Sequence, residues 1–282
     1  MIGNADRSPP VVVGAACSAR IETGMDIVRH GLLVGSAAVA GAINAVAGGG
    51  TLISFPAAMA WGLPSIAANV TNAVALTPGS LASAWGYRRE LQADRRLVAL
   101  LAPPATVGAL AGAYILHHTS QRLFDALIPW LVLGATLIIL LQGVILRHAP
   151  KPQPGAPTSP ARLATVVLCQ LLVGIYGGYF GAAMGIITLA FLSLIASTDI
   201  HGMNGIKNLL AALVNGVASI YFIASGLVDG WAALLMTGGA IAGGFIGARV
   251  ARRAPARVIR ALVIVIGFSL SGLLAYRSFI KR

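Results

Sequence analysis

The sequence predicts an all-α polytopic membrane protein of two inverted repeats, each a glycine-broken helical hairpin followed by three spanning helices. Three observations predict it. Hydrophobic residues make up 57% of the 282-residue chain and charged residues only 10%, against about a quarter charged in an ordinary soluble domain. From Gly31 to Tyr87 there is no Asp, Glu, Lys, Arg or His, a run long enough for more than one span at about 20 residues each. Glycine-interrupted motifs then recur in the same order on either side of a Pro-rich connector.

Apolar segments run at 30–60, 68–87, 97–116, 124–146, 163–198, 206–226, 230–248 and 258–276. Residues 1–26 precede them as an N-terminal extension: "VVVGAAC" at 11–17 is too short to span, and Met25 opens the more typical start "MDIVRHGLLVG". The connector "RHAPKPQPGAPTSPAR" reads as a linker at 147–162 between a first repeat at 27–146 and a second at 163–282. The net charge of +12 sits in short connectors, the pattern of topology signals facing anionic lipid, so nucleic acid is not an expected partner. Cys17 and Cys169 lie far apart and imply neither a disulfide nor a metal site.

The repeats align with nearly constant offset. "GAINAVAGGGTLI" at 41–53 matches "GIYGGYFGAAMGI" at 174–186; "AANVTNAVAL" matches "MNGIKNLLAAL", setting Thr71 and Asn72 opposite Lys207 and Asn208; "GALAGA" at 108–113 matches "GGFIGA" at 243–248. Charge gives the orientation. "RRELQADRR" after the second span is cytoplasmic by the positive-inside rule, whereas its counterpart "SGLVDG" has no Lys or Arg and belongs outside. The next pair reverses, "HHTSQR" being poor and "RVARRAPAR" rich in Arg. The C-terminal "YRSFIKR" dissents, since three positive charges would then lie outside. Inversion requires an odd number of crossings per half, so each overlong first segment is a hairpin; the first arms are long enough to cross, the second arms are shorter, and whether they cross fully or re-enter at half depth is left open.

A hairpin tip inside the membrane exposes backbone groups that lipid cannot satisfy, so it needs protein or a wet cavity around it. A helix starting after Gly48-Gly49-Gly50 points its first N–H groups and positive dipole end into that cavity, an arrangement that favours an anion. Thr51 can cap the helix or donate a hydroxyl. Gly108xxxGly112 and Gly243xxxGly247 read instead as helix-packing motifs. Asn44, Asn69, Asn72, Asn208 and Asn215 are amides in or beside apolar helices; Asn72 and Asn208 rank first because they flank the inferred cavity by repeat position. Lys207, the only Lys or Arg between Arg162 and Arg249, calls for a partner such as a bound anion if it lies deep. A lysine at a helix start also snorkels to the interface, but alignment with Thr71 favours the cavity.

All eight carboxylates fall in tails or connectors, so coupling through a buried carboxylate is not expected. The five His form no metal-ligand spacing. No GxSG, GxGD, HExxH or Walker A pattern occurs within a span, which counts against an enzyme. No cofactor is expected.

The block "GAINAVAGGGTLISFPAAMAWGLPSIAANVTNAVALTPGSLASAWGYRREL" at 41–91 resembles the first repeat of the TauE/SafE, or sulfite exporter, family, and residues 177–231 resemble its second. The resemblance covers about residues 27 to 276. It implies a multi-pass carrier of the bacterial inner membrane with inverted repeats, moving sulfur oxyanions or organosulfonates. Carried residue by residue, the family motifs fall on Gly48, Gly49, Gly50, Thr51, Asn69, Thr71, Asn72, Gly181, Lys207 and Asn208 as substrate-binding positions. Ala182 and Ala183 stand where the first repeat has glycines, so the two tips need not contact substrate equally. The expected partners are a small anion and the lipid bilayer, with a homodimer left open. The function so implied is transport of sulfite or an organosulfonate by alternating access; an uncoupled anion channel and a non-transport membrane protein are the rivals.

Overall fold

The computed structural model describes residues 24–46, 48–88, 95–148, 159–193, 200–250 and 256–280. The N-terminal extension and the Pro-rich linker fall largely outside them. Among the described residues there are ten α-helices and no strand: α1 Gly24–Val46, α2 Thr51–Trp61, α3 Ser65–Gly86, α4 Arg95–His117, α5 Gln121–His148, α6 Pro160–Tyr179, α7 Met184–Leu192, α8 Ile200–Ala224, α9 Gly230–Val250 and α10 Ala256–Ile280. Several starts follow from local chemistry. Ser159 accepts from the Arg162 N–H at 3.3 Å with Pro160 in the first turn of α6. Asp229 accepts from the Ala232 N–H at 2.8 Å ahead of α9.

Six helices are long and apolar enough to cross a membrane: they contain Ile27–Ala45, Arg95–His117, Gln121–Leu141, Pro160–Tyr179, Gly202–Ala224 and Gly230–Gly247. The hairpins are unequal. Their first arms, α1 and α6, have 23 and 20 residues, their second arms, α2 and α7, only 11 and 9. At 1.5 Å per residue the second arms reach about 14 to 17 Å, roughly half of a 30 Å hydrocarbon core. Neither second arm is long enough to cross by itself. α3, expected from sequence as an apolar span, is long enough but too polar to join the six; its Asn69, Thr71, Asn72, Ser80 and Ser83 are buried, so protein rather than lipid surrounds that face.

Close backbone approach sets the helix directions. A Cβ on Gly239, Gly243 or Gly247 of α9 would strike the backbone of Val34, Ala38 or Ala42 of α1. A Cβ on Gly108 or Gly112 of α4 would strike the Leu171 or Ile175 carbonyl of α6. Both ladders ascend together, so α1 runs parallel to α9 and α6 parallel to α4. The two small-residue motifs expected to pack helices do so, each against the first arm of the other half's hairpin.

α3 follows α9, since Ser83 Oγ donates to Gly244 O at 3.2 Å while Gly79 lies against Ala240. It opposes α8: Thr77 shares a 3.3 Å hydroxyl contact with Ser219, whereas Ser80, one turn later, lines the same cavity as Ala211 and Asn215, earlier on α8. Near their C-terminal ends α4 and α8 touch through His117 and Tyr221, rings 5.7 Å apart. Thus α1, α3 and α9 run one way, and α6, α8 and α4 the other. The remaining contacts also come in matching sets, α2 with α10 and α7 with α5, while α5 and α10 pair with each other.

If the glycine ladder sets the α1–α9 approach, Gly243→Leu must push the helices apart, an overpacking cost of about 1–3 kcal/mol. We expect a lower thermal midpoint in detergent, followed by tryptophan fluorescence. Gly238→Ala on the same helix, with nothing within 4 Å of the added methyl, should leave the midpoint unchanged.

Candidate functional site

The two hairpin tips are built alike. Gly48 N–H donates to Ile43 O at 3.0 Å, and Gly181 N–H to Tyr176 O at 3.0 Å; each closes the first arm by a bond five residues back. Such a turn needs left-handed backbone. Gly48 (φ 83°) and Gly49 (φ 96°) supply it in the first tip, Gly181 (φ 74°) in the second, where Ala183 (φ 61°) also adopts it before α7. The tips abut, a Cβ on Gly48 lying 3.4 Å from Ile186 N.

Each tip leaves helix-end carbonyls without an intrahelical partner, and each is answered from the other half. Lys207 Nζ of α8 donates to Asn44 O at 2.8 Å, and Asn208 Nδ2 to Ala45 O at 3.4 Å, at the end of α1. Asn69 Nδ2 of α3 donates to Tyr179 O at 2.9 Å, at the end of α6. Behind them Phe55 and Phe124 pack edge-on against Phe180, with ring centres 5.5 and 6.4 Å apart.

Between the tips lies a cavity of about 20 Å³ for the centre of a water-sized sphere, room for about one or two waters. It joins Gly48, Gly49 and Thr51 of the first tip to Gly181 of the second, with Lys207 and Asn208 of α8 along its side. Lys207 is 1% exposed. Among the described residues the lining contains no Asp or Glu and no ionisable group besides Lys207. The site therefore presents one lysine amine, hydroxyl and amide groups, and backbone opened by glycine, with no described carboxylate to repel an anion.

Four of the sequence-predicted site residues stand outside that lining. Gly50 supports the turn: its N–H donates to Asn44 Oδ1 at 2.8 Å, and a Cβ there would collide with the Ala40 backbone. Asn69 holds the second tip. Thr71 Oγ1 accepts from Asp229 N–H at 3.0 Å and so anchors the turn between α8 and α9. Asn72 is buried, and its Oδ1 has no hydrogen-bond partner among the described residues. Conversely, the cavity is completed by Asn44, Ser80, Asn215 and the start of α7. A signal for one of these existed: Asn215 follows Asn208 by seven residues, the spacing of one helix face.

The family model for the sulfite exporter TauE/SafE matches residues 33–274. The chain belongs to the TauE/SafE family. A probable membrane transporter protein of Haemophilus influenzae is 25% identical over 266 residues, covering 91% of this chain and 97% of that protein. The probable membrane transporter protein YfcA of Escherichia coli is 28% identical over 259 residues, covering 88% and 90%. A probable membrane transporter protein of Sinorhizobium is 28% identical over 240 residues, covering 84% and 88%. No solved structure matches significantly. With six apolar helices and TauE/SafE membership, the chain is a multi-pass membrane protein of a transporter family.

Removing the Asn69 amide orphans the Tyr179 carbonyl at the end of α6. Asn69→Ala should lower stability by about 1–3 kcal/mol, read as a reduced thermal midpoint in detergent.

Proposed function

We propose that this TauE/SafE protein carries a small anion, sulfite or an organosulfonate, across the bacterial inner membrane by alternating access at the cavity between the tips. The observation that carries the reading is Lys207: a buried ammonium on a cavity whose lining offers no carboxylate. A lysine at mid-bilayer costs about 2.5–3.5 kcal/mol on insertion scales, and a carbonyl dipole offsets less of that than an anion would. Substrate-binding roles fall to Gly48, Gly49, Thr51, Gly181, Lys207 and Asn208, with Gly50, Asn69, Thr71 and Asn72 shaping the elements that present them. The relatives' names support transport, and the family's name supports sulfite or its chemical kin.

The inverted-repeat reading rests on direction and pairing. α1, α3 and α9 oppose their sequence counterparts α6, α8 and α4, and exchanging the halves exchanges the contact pairs. In such a frame, rocking one half against the other remakes the cross-half bonds at the tips and turns the cavity from one side to the other. An uncoupled facilitator is the second reading, favoured by the absence of any carboxylate in the lining.

Electrical recording on proteoliposomes with sulfite, methanesulfonate and acetate tests both. A carrier gives a saturable transient and a facilitator a steady conductance, and Lys207→Ala should reduce either by more than tenfold while the protein stays monodisperse. Full transport by that variant would sink the proposed role. Topology has its own measurement: reporters fused after Glu90 and after Asp229 should report opposite sides of the membrane, and the same side for both would end the inverted-repeat reading.

A further inference from the structure

Asn44 stood below Asn72 and Asn208 on sequence grounds, yet three observations bring it to the centre. It lines the cavity. Its backbone carbonyl receives the Lys207 ammonium at 2.8 Å. Its side-chain Oδ1 receives the Gly50 N–H at 2.8 Å. The last bond fixes the amide: with the oxygen committed to the tip backbone, the Nδ2 end is the one left for a ligand, and an amide nitrogen only donates.

We propose that Asn44 is a substrate-binding residue of this transporter, donating its Nδ2–H to an oxygen of the anion held by Lys207. The assignment rests on the anion-carrier reading above and deepens it. One residue bears on both donors: its carbonyl accepts from the Lys207 amine, and with its Oδ1 taken by Gly50 its amide nitrogen is left to donate. Two such donors on one anion suit an oxyanion with two oxygens on one centre, as in sulfite or a sulfonate. The equivalent position in the second tip is Gly177, from the offset that matches Gly48 with Gly181, so this tip supplies no amide there. The anion is held on the first-tip side of the cavity, and the second tip closes over it.

Two variants separate binding from support. Asn44→Asp keeps an acceptor for the Gly50 N–H, but removes the donor and sets a carboxylate beside Lys207. Asn44→Ala removes both the acceptor and the donor. We expect the purified full chain with Asn44→Asp to unfold near the wild-type temperature yet show no sulfite-induced thermal shift. Asn44→Ala should unfold earlier and bind sulfite about tenfold more weakly, the loss of one hydrogen bond to a charged group, with KM raised and the maximal rate retained in proteoliposomes.

A merely supporting Asn44 gives the reverse order, with affinity following stability and Asn44→Asp close to wild type. That order, or wild-type sulfite affinity in Asn44→Ala, overturns the assignment and leaves the carrier reading standing. If the wild-type protein responds to neither sulfite nor methanesulfonate, the carrier reading falls and the assignment with it.

Discussion

Broken backbone in a nonaqueous setting is the constraint on which this structure turns. A helix that stops inside the membrane leaves up to four carbonyls without partners, and hydrocarbon supplies none. Here the first tip is satisfied by Lys207 and Asn208 and the second by Asn69, side chains from helices of the opposite half. The proposed substrate-binding residues and the groups that make the fold tolerable are therefore partly the same atoms. Lys207 completes a helix end and charges the cavity at once, and a substitution there must be judged on both counts.

The tips share a hydrogen-bond pattern but not a composition. In the first, Gly48 and Gly49 take left-handed backbone at little steric cost; in the second, Ala183 takes it with a methyl group attached, a strain of about 1 kcal/mol. The second tip is held once from across the interface, by Asn69, and once by itself, with the Tyr176 hydroxyl donating to Ala182 O at 2.6 Å. The first is held from Asn44 and from across the interface. Chemistry concentrates on the first tip, while the second contributes Gly181 and a largely apolar cover.

Much of this was legible in the sequence, because membrane solvation writes large signals. The uncharged run from Gly31 to Tyr87 and the glycine triplet gave the helical class and the first break, and the echo at Gly181 gave the second. Lys207 was found because a lone cation in an apolar helix needs an explanation. What escaped was what depends on rotation about a helix axis. Thr71 aligns with Lys207 in sequence, yet its hydroxyl meets the Asp229 N–H, away from the cavity. Asn44 was ranked below Asn72 and Asn208 because its neighbours along the chain gave no hint that one amide would grip Gly50 while its carbonyl took the lysine. That the second arms are the shorter was legible, but not by how much, since an apolar run does not record where a helix turns back until the glycine geometry is resolved.

α3 leads furthest. Its buried asparagines, threonines and serines make it a poor candidate to enter lipid unaided, and its principal neighbours are α8 and α9, which the ribosome has not yet made when α3 emerges. The first half must wait, with its polar face sheltered by earlier helices or by the insertion machinery, until the second half arrives to receive it. Assembly is thus ordered in time, and neither half is a finished object without the other.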